Sequence, residues 1–242
     1  MKRFLVLSCS VAISALFFHA CSSSDDSMID APLTRADAVS EKVVFQDDFN
    51  QADSIPDRNK WSLCKKGSPA WSKYLSESYD QAYVHDGKLV LVAEKVNGVY
   101  KTGGVQSLGK AEFQYGKIEI CARFTKTAKG GWPAIWMMPA KPVYSGWPAC
   151  GEIDIMEQLN HDGIVYQTIH SHYKNDLGFT KPVPTKTVSY NKGQFNIFGI
   201  EWTPEALTFK VNGATTLVYP NLHLADESVK KPVSYTHLRA HE

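Results

Sequence analysis

Three carboxylates stand close together in the segment GEIDIMEQL, residues 151–159: Glu152, Asp154 and Glu157. A pair of acids in one cleft can break a glycosidic bond, one attacking the anomeric carbon while the other protonates the leaving oxygen. Their spacing puts a condition on the backbone. In a regular strand successive side chains alternate faces, so Glu152 and Asp154 share a face and Glu157 falls on the other. One extra residue at Ile155–Met156, a β-bulge, returns Glu157 to the face of the other two; bulges recur beside active sites and re-aim side chains in this way. Glu152 and Glu157 are then about four strand steps apart, on the order of 13 Å between backbones. Two glutamates leaning together, each reaching roughly 4 Å, leave about 5 Å between carboxyls, the separation of a retaining rather than an inverting mechanism. Asp154 between them pushes neighbouring pKa values apart and, when protonated, can donate a hydrogen bond to the nucleophile. The plainer meanings of such a run are a solvated acidic face, the commonest sense of a bare E-x-D, and a calcium site of clustered oxygens. Both weaken beside Ile153 and Ile155, which supply a core-facing side, and beside tryptophans nearby in sequence.

The elements that must position these acids read as strands. VVFQDDF and KLVLVAEK have strand character, the second preceded by the turn signal HDG. YGKIEICARF, Tyr115 to Phe124, alternates apolar and polar residues, and FGIEWTPEALTFKVNG, Phe198 to Gly213, reads as two strands joined through Thr203 and Pro204. The glycine pairs at 103–104 and 130–131 are expected in turns. Short strands between turn residues, with no sustained helical periodicity and no internal repeat, predict an all-β sandwich.

The chain has 242 residues, 43% of them hydrophobic, with formal net charge +1. That suffices for one sizeable core, and with no basic stripe it gives no support for a nucleic-acid partner. Aromatics make up 12%, including six Trp and eleven Tyr, which suits stacking against sugar faces as well as a core. The expected organisation has four parts. Residues 1–21 have a basic start, Lys2 and Arg3, an apolar run from Phe4 to Phe18, and FHAC ending at Cys21, a pattern resembling a bacterial lipoprotein signal with Cys21 as the lipidated residue; ordinary secretion is the alternative. Residues 22–42 are a flexible tether that looks like the surface-export tethers of Bacteroidota lipoproteins. Residues 43–232 are the catalytic domain. Residues 233–242, VSYTHLRAHE, resemble a translated sequencing adapter, so the natural protein is expected to continue past Pro232. Cys64, Cys121 and Cys150 lack metal spacing and fit either one disulfide plus a thiol or three small buried residues.

GEIDIME resembles the E-x-D-x-x-E signature of glycoside hydrolase family 16 in its bulged form. YGKIEICARF, KGGWPAIWMMP, WPACGEIDIME, YQTIHSHY and IEWTPEALTFKVNG agree with that family in order over about Val43 to Pro220. The resemblance implies a jelly-roll β-sandwich (concanavalin A-like) with a concave substrate cleft. It implies Glu152 as nucleophile, Asp154 as its assisting acid and Glu157 as acid/base. For substrate binding it points to Trp136 as a sugar platform, to Trp132 and Trp147 with core packing as the even alternative, to His170, and to Trp202 as a cleft-lining ring. His161 and His172 are expected to be surface or structural residues rather than catalytic ones. Strands of the types QPFYLILNLAVGG and VDYVRVY, which end the family's domain, are absent from this chain. The implied activity is endo-hydrolysis, with retention, of β-1,3 or mixed β-1,3/1,4-glucan. Alternatives are a galactan- or xyloglucan-active member, a non-catalytic surface glycan-binding protein, and a calcium-stabilised structural sandwich. No cofactor and no catalytic metal are implied, and a structural calcium is compatible. The expected form is a monomer in the cell envelope, an outer-membrane lipoprotein facing periplasm or surface, touching the membrane only through its lipid.

Overall fold

The computed structural model describes residues 3–10, 42–142, 144–224 and 238–241. Cys21, most of the 22–42 tether and residues 225–237 lie outside them. Along the chain the described strands are β1 (Arg3–Ser10), β2 (Ser62–Leu63), β3 (Ala82–Val84), β4 (Leu89–Val96), β5 (Val99–Thr102), β6 (Val105–Gln106), β7 (Gly116–Arg123), β8 (Ala134–Pro139), β9 (Glu152–Glu157) and β10 (Ile164–His170). One helical turn follows, α1 (His172–Asn175), then β11 (Thr185–Ser189), β12 (Asn196–Trp202), β13 (Ala206–Val211), β14 (Ala214–Pro220) and β15 (Leu238–His241).

These strands form two antiparallel sheets. One runs β14-β13-β12-β7-β1-β4-β3, with β5 also on β4; the other runs β11-β10-β9-β8-β15-β6-β2. A single buried cluster draws on both: Ile120, Phe198, Leu207 and Phe209 from the first, Met137, Ile153, Ile155, Val165 and Ile169 from the second. An apolar layer between two sheets is what period-2 alternation produces when each sheet has one inward face.

The hairpin signal HDG closes β3 onto β4. His85 and Lys88 exchange backbone hydrogen bonds across Asp86 and Gly87, both at positive φ (50° and 65°), the conformation a two-residue primed turn requires. VVFQDDF, by contrast, forms no named strand. Asp47 instead accepts hydrogen bonds from the Trp61 Nε1–H and the Phe49 backbone N–H, and such local bonding competes with a ladder. Gly130 lies in a turn at φ 78°, as expected, but Gly103 does not serve a turn: a Cβ there would sit 1.8 Å from the Gln81 carbonyl oxygen, so it permits close backbone approach. No disulfide joins Cys64, Cys121 and Cys150 to one another.

The terminal strands lie in segments that the sequence reading places outside the domain. β1 pairs with β4 and β7, and β15 with β8 and β6. Ladder pairing uses backbone N–H and C=O groups common to every residue, so it does not depend on the side-chain pattern of the strand that pairs.

Candidate active site

β9 lies between β8 and β10 near the middle of its sheet, and its register is broken once on both sides. Against β10, His170 faces Glu152 and Thr168 faces Asp154, yet Tyr166 faces Glu157: two residues on one strand span three on the other. Against β8, Trp136 faces Asp154, Ile135 faces Met156 and Ala134 faces Glu157, which leaves Ile155 as the extra residue. Ile155 and Met156 are consecutive and both fully buried in the core. The bulge therefore turns two neighbouring apolar side chains inward and returns Glu157 to the face of Glu152 and Asp154.

Each glutamate is held by an indole. Trp147 donates from Nε1 to Glu152 at 2.5 Å, and Trp132 donates from Nε1 to Glu157 at 2.6 Å. Both rings are more than half exposed, 57% and 52%, so they are cleft walls rather than core. Trp147 also lies over His170, with ring centroids 5.5 Å apart. Trp136 is beside Asp154 in the ladder and meets Trp71 edge to face at 5.1 Å. Aromatic faces with wet edges suit sugar stacking. Trp71 was not singled out from the sequence; an aromatic in the turn-rich stretch SPAWSKY gives no sign of what it will face.

His170 ends β10 opposite Glu152, its Nε2 3.2 Å from Asp154 Oδ2. Lys174 and Asn175 of α1 approach its other nitrogen, Nδ1, at 3.3 and 3.1 Å. Neither residue carries a sequence signal, because they return toward His170 only if a helical turn follows the strand. His161 and His172 are engaged elsewhere, with Thr127 and with Asp176.

Trp202 corrects an expectation. It belongs to β12 in the other sheet, is 2% exposed and packs against Tyr115 as part of the core. It borders a cavity of about 520 Å³ lined by Phe45, Trp61, Phe113 and Tyr115, which includes none of the three acids. Regular alternation along β12 puts Phe198, Ile200 and Trp202 on the inward face together, whatever the residue type suggests.

Burial dominates the electrostatics. It raises Glu152 to about 7, with the Asp154 charge adding to the rise. Asp154, 1% exposed, is raised well above the usual carboxylate range by burial and then by the charge of Glu157. Glu157 is raised by burial first, with the charge of Glu152 contributing and the Trp132 N–H opposing. Glu152 and Asp154 are neighbouring carboxyls on one face whose charges disfavour each other, so the pair favours holding one proton. We place that proton on Asp154, because its charge is the more costly to bury and because Glu152 has the Trp147 N–H to stabilise its anion. His170 is lowered by burial and by Lys174.

Among the described residues, two clusters have donor atoms mutually within 4.8 Å, Asp53–His85–Asp86 and Glu152–Asp154–His170. In the first, fully exposed set, the Asp53 carboxylate is taken up by His85 and the Asp86 backbone N–H. In the second, the donors are engaged with one another and with Trp147. Either set could offer a cation oxygen and imidazole ligands.

A family model described as "Glycosyl hydrolases family 16" matches residues 71–238. The chain is 36% identical over 186 residues to the keratan-sulfate endo-1,4-beta-galactosidase of Sphingobacterium multivorum, a match that spans 74% of this chain and 43% of that relative. Among solved structures, one from work on endo-acting O-glycanases with which gut microbiota initiate mucin breakdown superposes at TM-score 0.73 with 34% identity, covering 83% of this chain and 84% of that one. The laminarinase from Rhodothermus marinus superposes at TM-score 0.72 with 27% identity, covering 83% and 84%. The jelly-roll sandwich expected from the sequence is the fold these structures share.

Proposed function

The chain belongs to glycosyl hydrolase family 16, and from that premise we propose that it is an endo-acting hydrolase of β-linked glycan chains that works by double displacement with retention. The observation that carries the proposal is the bulge in β9, which brings Glu152, Asp154 and Glu157 to one face with an indole N–H on each glutamate.

In the first step the Glu152 carboxylate attacks the anomeric carbon as the glycosidic C–O bond breaks, and the Glu157 carboxylic acid gives its proton to the departing oxygen. The Trp147 N–H and the Asp154 hydroxyl hold Glu152 oriented and ionised. In the second step Glu157, now a carboxylate, takes a proton from water; the hydroxide adds to the anomeric carbon and Glu152 is released. Burial supports this cycle because it keeps Glu157 protonated toward neutral pH. Trp136, Trp71, Trp132 and Trp147 supply rings for the sugar chain.

For the finer substrate, similarity to the keratan-sulfate galactosidase supports a β-galactoside-containing chain, and similarity to the O-glycanase structure supports a mucin-type glycan as its source. A β-1,3 or mixed-linkage glucan is the second reading, supported by the fold match to the laminarinase. Export with a lipid on Cys21 belongs to the same proposal, since a polymer must be met outside the cell; metabolic labelling with a fatty acid, lost in Cys21→Ala, tests it. The main test is product analysis on keratan, mucin O-glycans, laminarin, lichenan, agarose and xyloglucan, with the first-formed anomer read by proton NMR. Release of β-configured reducing ends supports the proposal. No oligosaccharide from any of them, or initial α-product, overturns it.

A further inference from the structure

We propose that Asn175 and Lys174 are positioning residues, Asn175 holding the His170 imidazole in its Nε2–H tautomer and the Lys174 ammonium keeping the ring neutral, so that it presents a proton to Asp154. The inference rests on the hydrolytic reading of Glu152, Asp154 and Glu157.

The placement begins with the backbone. β10 ends at His170, and the next residue, Ser171, caps a short helical turn by accepting the Lys174 backbone N–H at 3.2 Å. That turn carries residues four and five beyond His170 back to its ring. Asn175 is oriented by its own amide: Oδ1 accepts the Ser171 backbone N–H at 3.1 Å, which commits Nδ2, a donor, to His170 Nδ1 at 3.1 Å. The Lys174 ammonium approaches the same Nδ1 at 3.3 Å. A ring nitrogen facing two donors must be the acceptor, so the single hydrogen of a neutral imidazole resides on Nε2.

The other side of the ring agrees. Nε2 lies 3.2 Å from Asp154 Oδ2, a buried oxygen with no aligned hydrogen bond among the described residues. Buried carboxyl oxygens are almost always satisfied, and the Nε2–H is within reach of this one. The opposite tautomer would set an N–H against two donors and a lone pair against a carboxyl. Imidazolium would place a second cation beside Lys174, although the carboxyls of β9 favour it. The charged and titratable groups on His170 are therefore Glu152, Asp154 and Glu157 from β9 and Lys174 from α1; burial and Lys174 hold the ring neutral. With Oδ2 occupied by Nε2–H, the remaining oxygen of Asp154 is left to share its proton with Glu152, the orientation the first chemical step needs.

The test is nitrogen-15 NMR of the histidine side chains in the full chain at pH 7, with His170→Gln for assignment, beside pH–rate profiles on whichever glycan is cleaved. The wild type is expected to show His170 as neutral Nε2–H. Asn175→Asp keeps the acceptor for Ser171 but replaces the donor at Nδ1 by an acceptor. It is expected to move His170 to Nδ1–H or to imidazolium and to lower kcat about 10- to 100-fold, the usual cost of losing a group that orients another, with KM changed less than about twofold. Lys174→Met is expected to keep the tautomer but move the His170 titration and the pH–rate profile upward, since a cation that opposed protonation is gone. Nδ1–H or imidazolium in the wild type, or an Asn175→Asp protein with unchanged tautomer and kcat, overturns the proposal. If no glycan is cleaved the functional reading falls, while the NMR result still decides the tautomer.

Discussion

Strands β9 and β12 draw on similar residues, glutamate and isoleucine with tryptophan in or near the strand, and put them to opposite uses. In β12, with no break in its register, Phe198, Ile200 and Trp202 enter the core while Glu201 points away to pair with Lys210. In β9 one extra residue sends Ile153, Ile155 and Met156 to the core and gathers all three acids on the outer face. The indoles differ in the same way. Trp202 is part of its strand and leaves its Nε1 without a hydrogen-bond partner among the described residues, whereas Trp132 and Trp147 lie just outside the strands and extend Nε1–H to Glu157 and Glu152. Composition did not separate a cleft strand from a core strand; one residue of register did.

The comparison can be broken most forcefully at the acids. Glu152→Gln should lower kcat by about 10⁴-fold or more while leaving glycan binding measurable by affinity electrophoresis, because a nucleophile is lost and its shape is kept. An active Glu152→Gln protein would end the claim that β9 carries the chemistry. The next largest effect belongs to β12. Trp202→Ala should destabilise the fold by about 3–5 kcal/mol in urea titration, with kcat per folded molecule unchanged, whereas Trp147→Phe should cost less than about 1 kcal/mol of stability yet lower kcat.

A smaller effect is the pH dependence of stability. The Glu152–Asp154 pair binds a proton more tightly in the native state than in the unfolded chain, with the Glu152 carboxyl raised from 4.5 to about 7. Its contribution is fully present below about pH 4.5 and lost as pH rises through 7, on the order of 3 kcal/mol across that window. Glu152→Gln should flatten this slope in melts between pH 4.5 and 8; an unchanged slope would show that Glu152 is not the group responsible. Smallest of all, Glu201→Gln should change stability by less than about 1 kcal/mol and kcat less than twofold, as expected of a partly exposed ion pair away from the acids.

Much of this molecule was legible in the chain itself. KLVLVAEK, YGKIEICARF and the FGIEWTPEALTFKVNG hairpin became strands because alternation and turn chemistry are local properties. The HDG turn formed because Asp86 and Gly87 tolerate positive φ. The bulge at Ile155–Met156 was required by the spacing of the acids and appears in the register. VVFQDDF misled because Asp47 bonds to nearby backbone and to Trp61, a partner 14 residues on that alternation does not reveal. Trp202 misled because its residue type suits a sugar platform, while its side of the strand was settled by the partners of β12.

By itself the sequence determined the strand periods, the acid triad with its need for a bulge, and the family. These depend on residue type and on spacing over a few positions. Only the tertiary structure decided which indoles reach the acids, that Trp202 is core, and that Lys174 and Asn175 close on His170. Those outcomes depend on strand order and on a helical turn of four residues, which bring together groups that no local pattern connects.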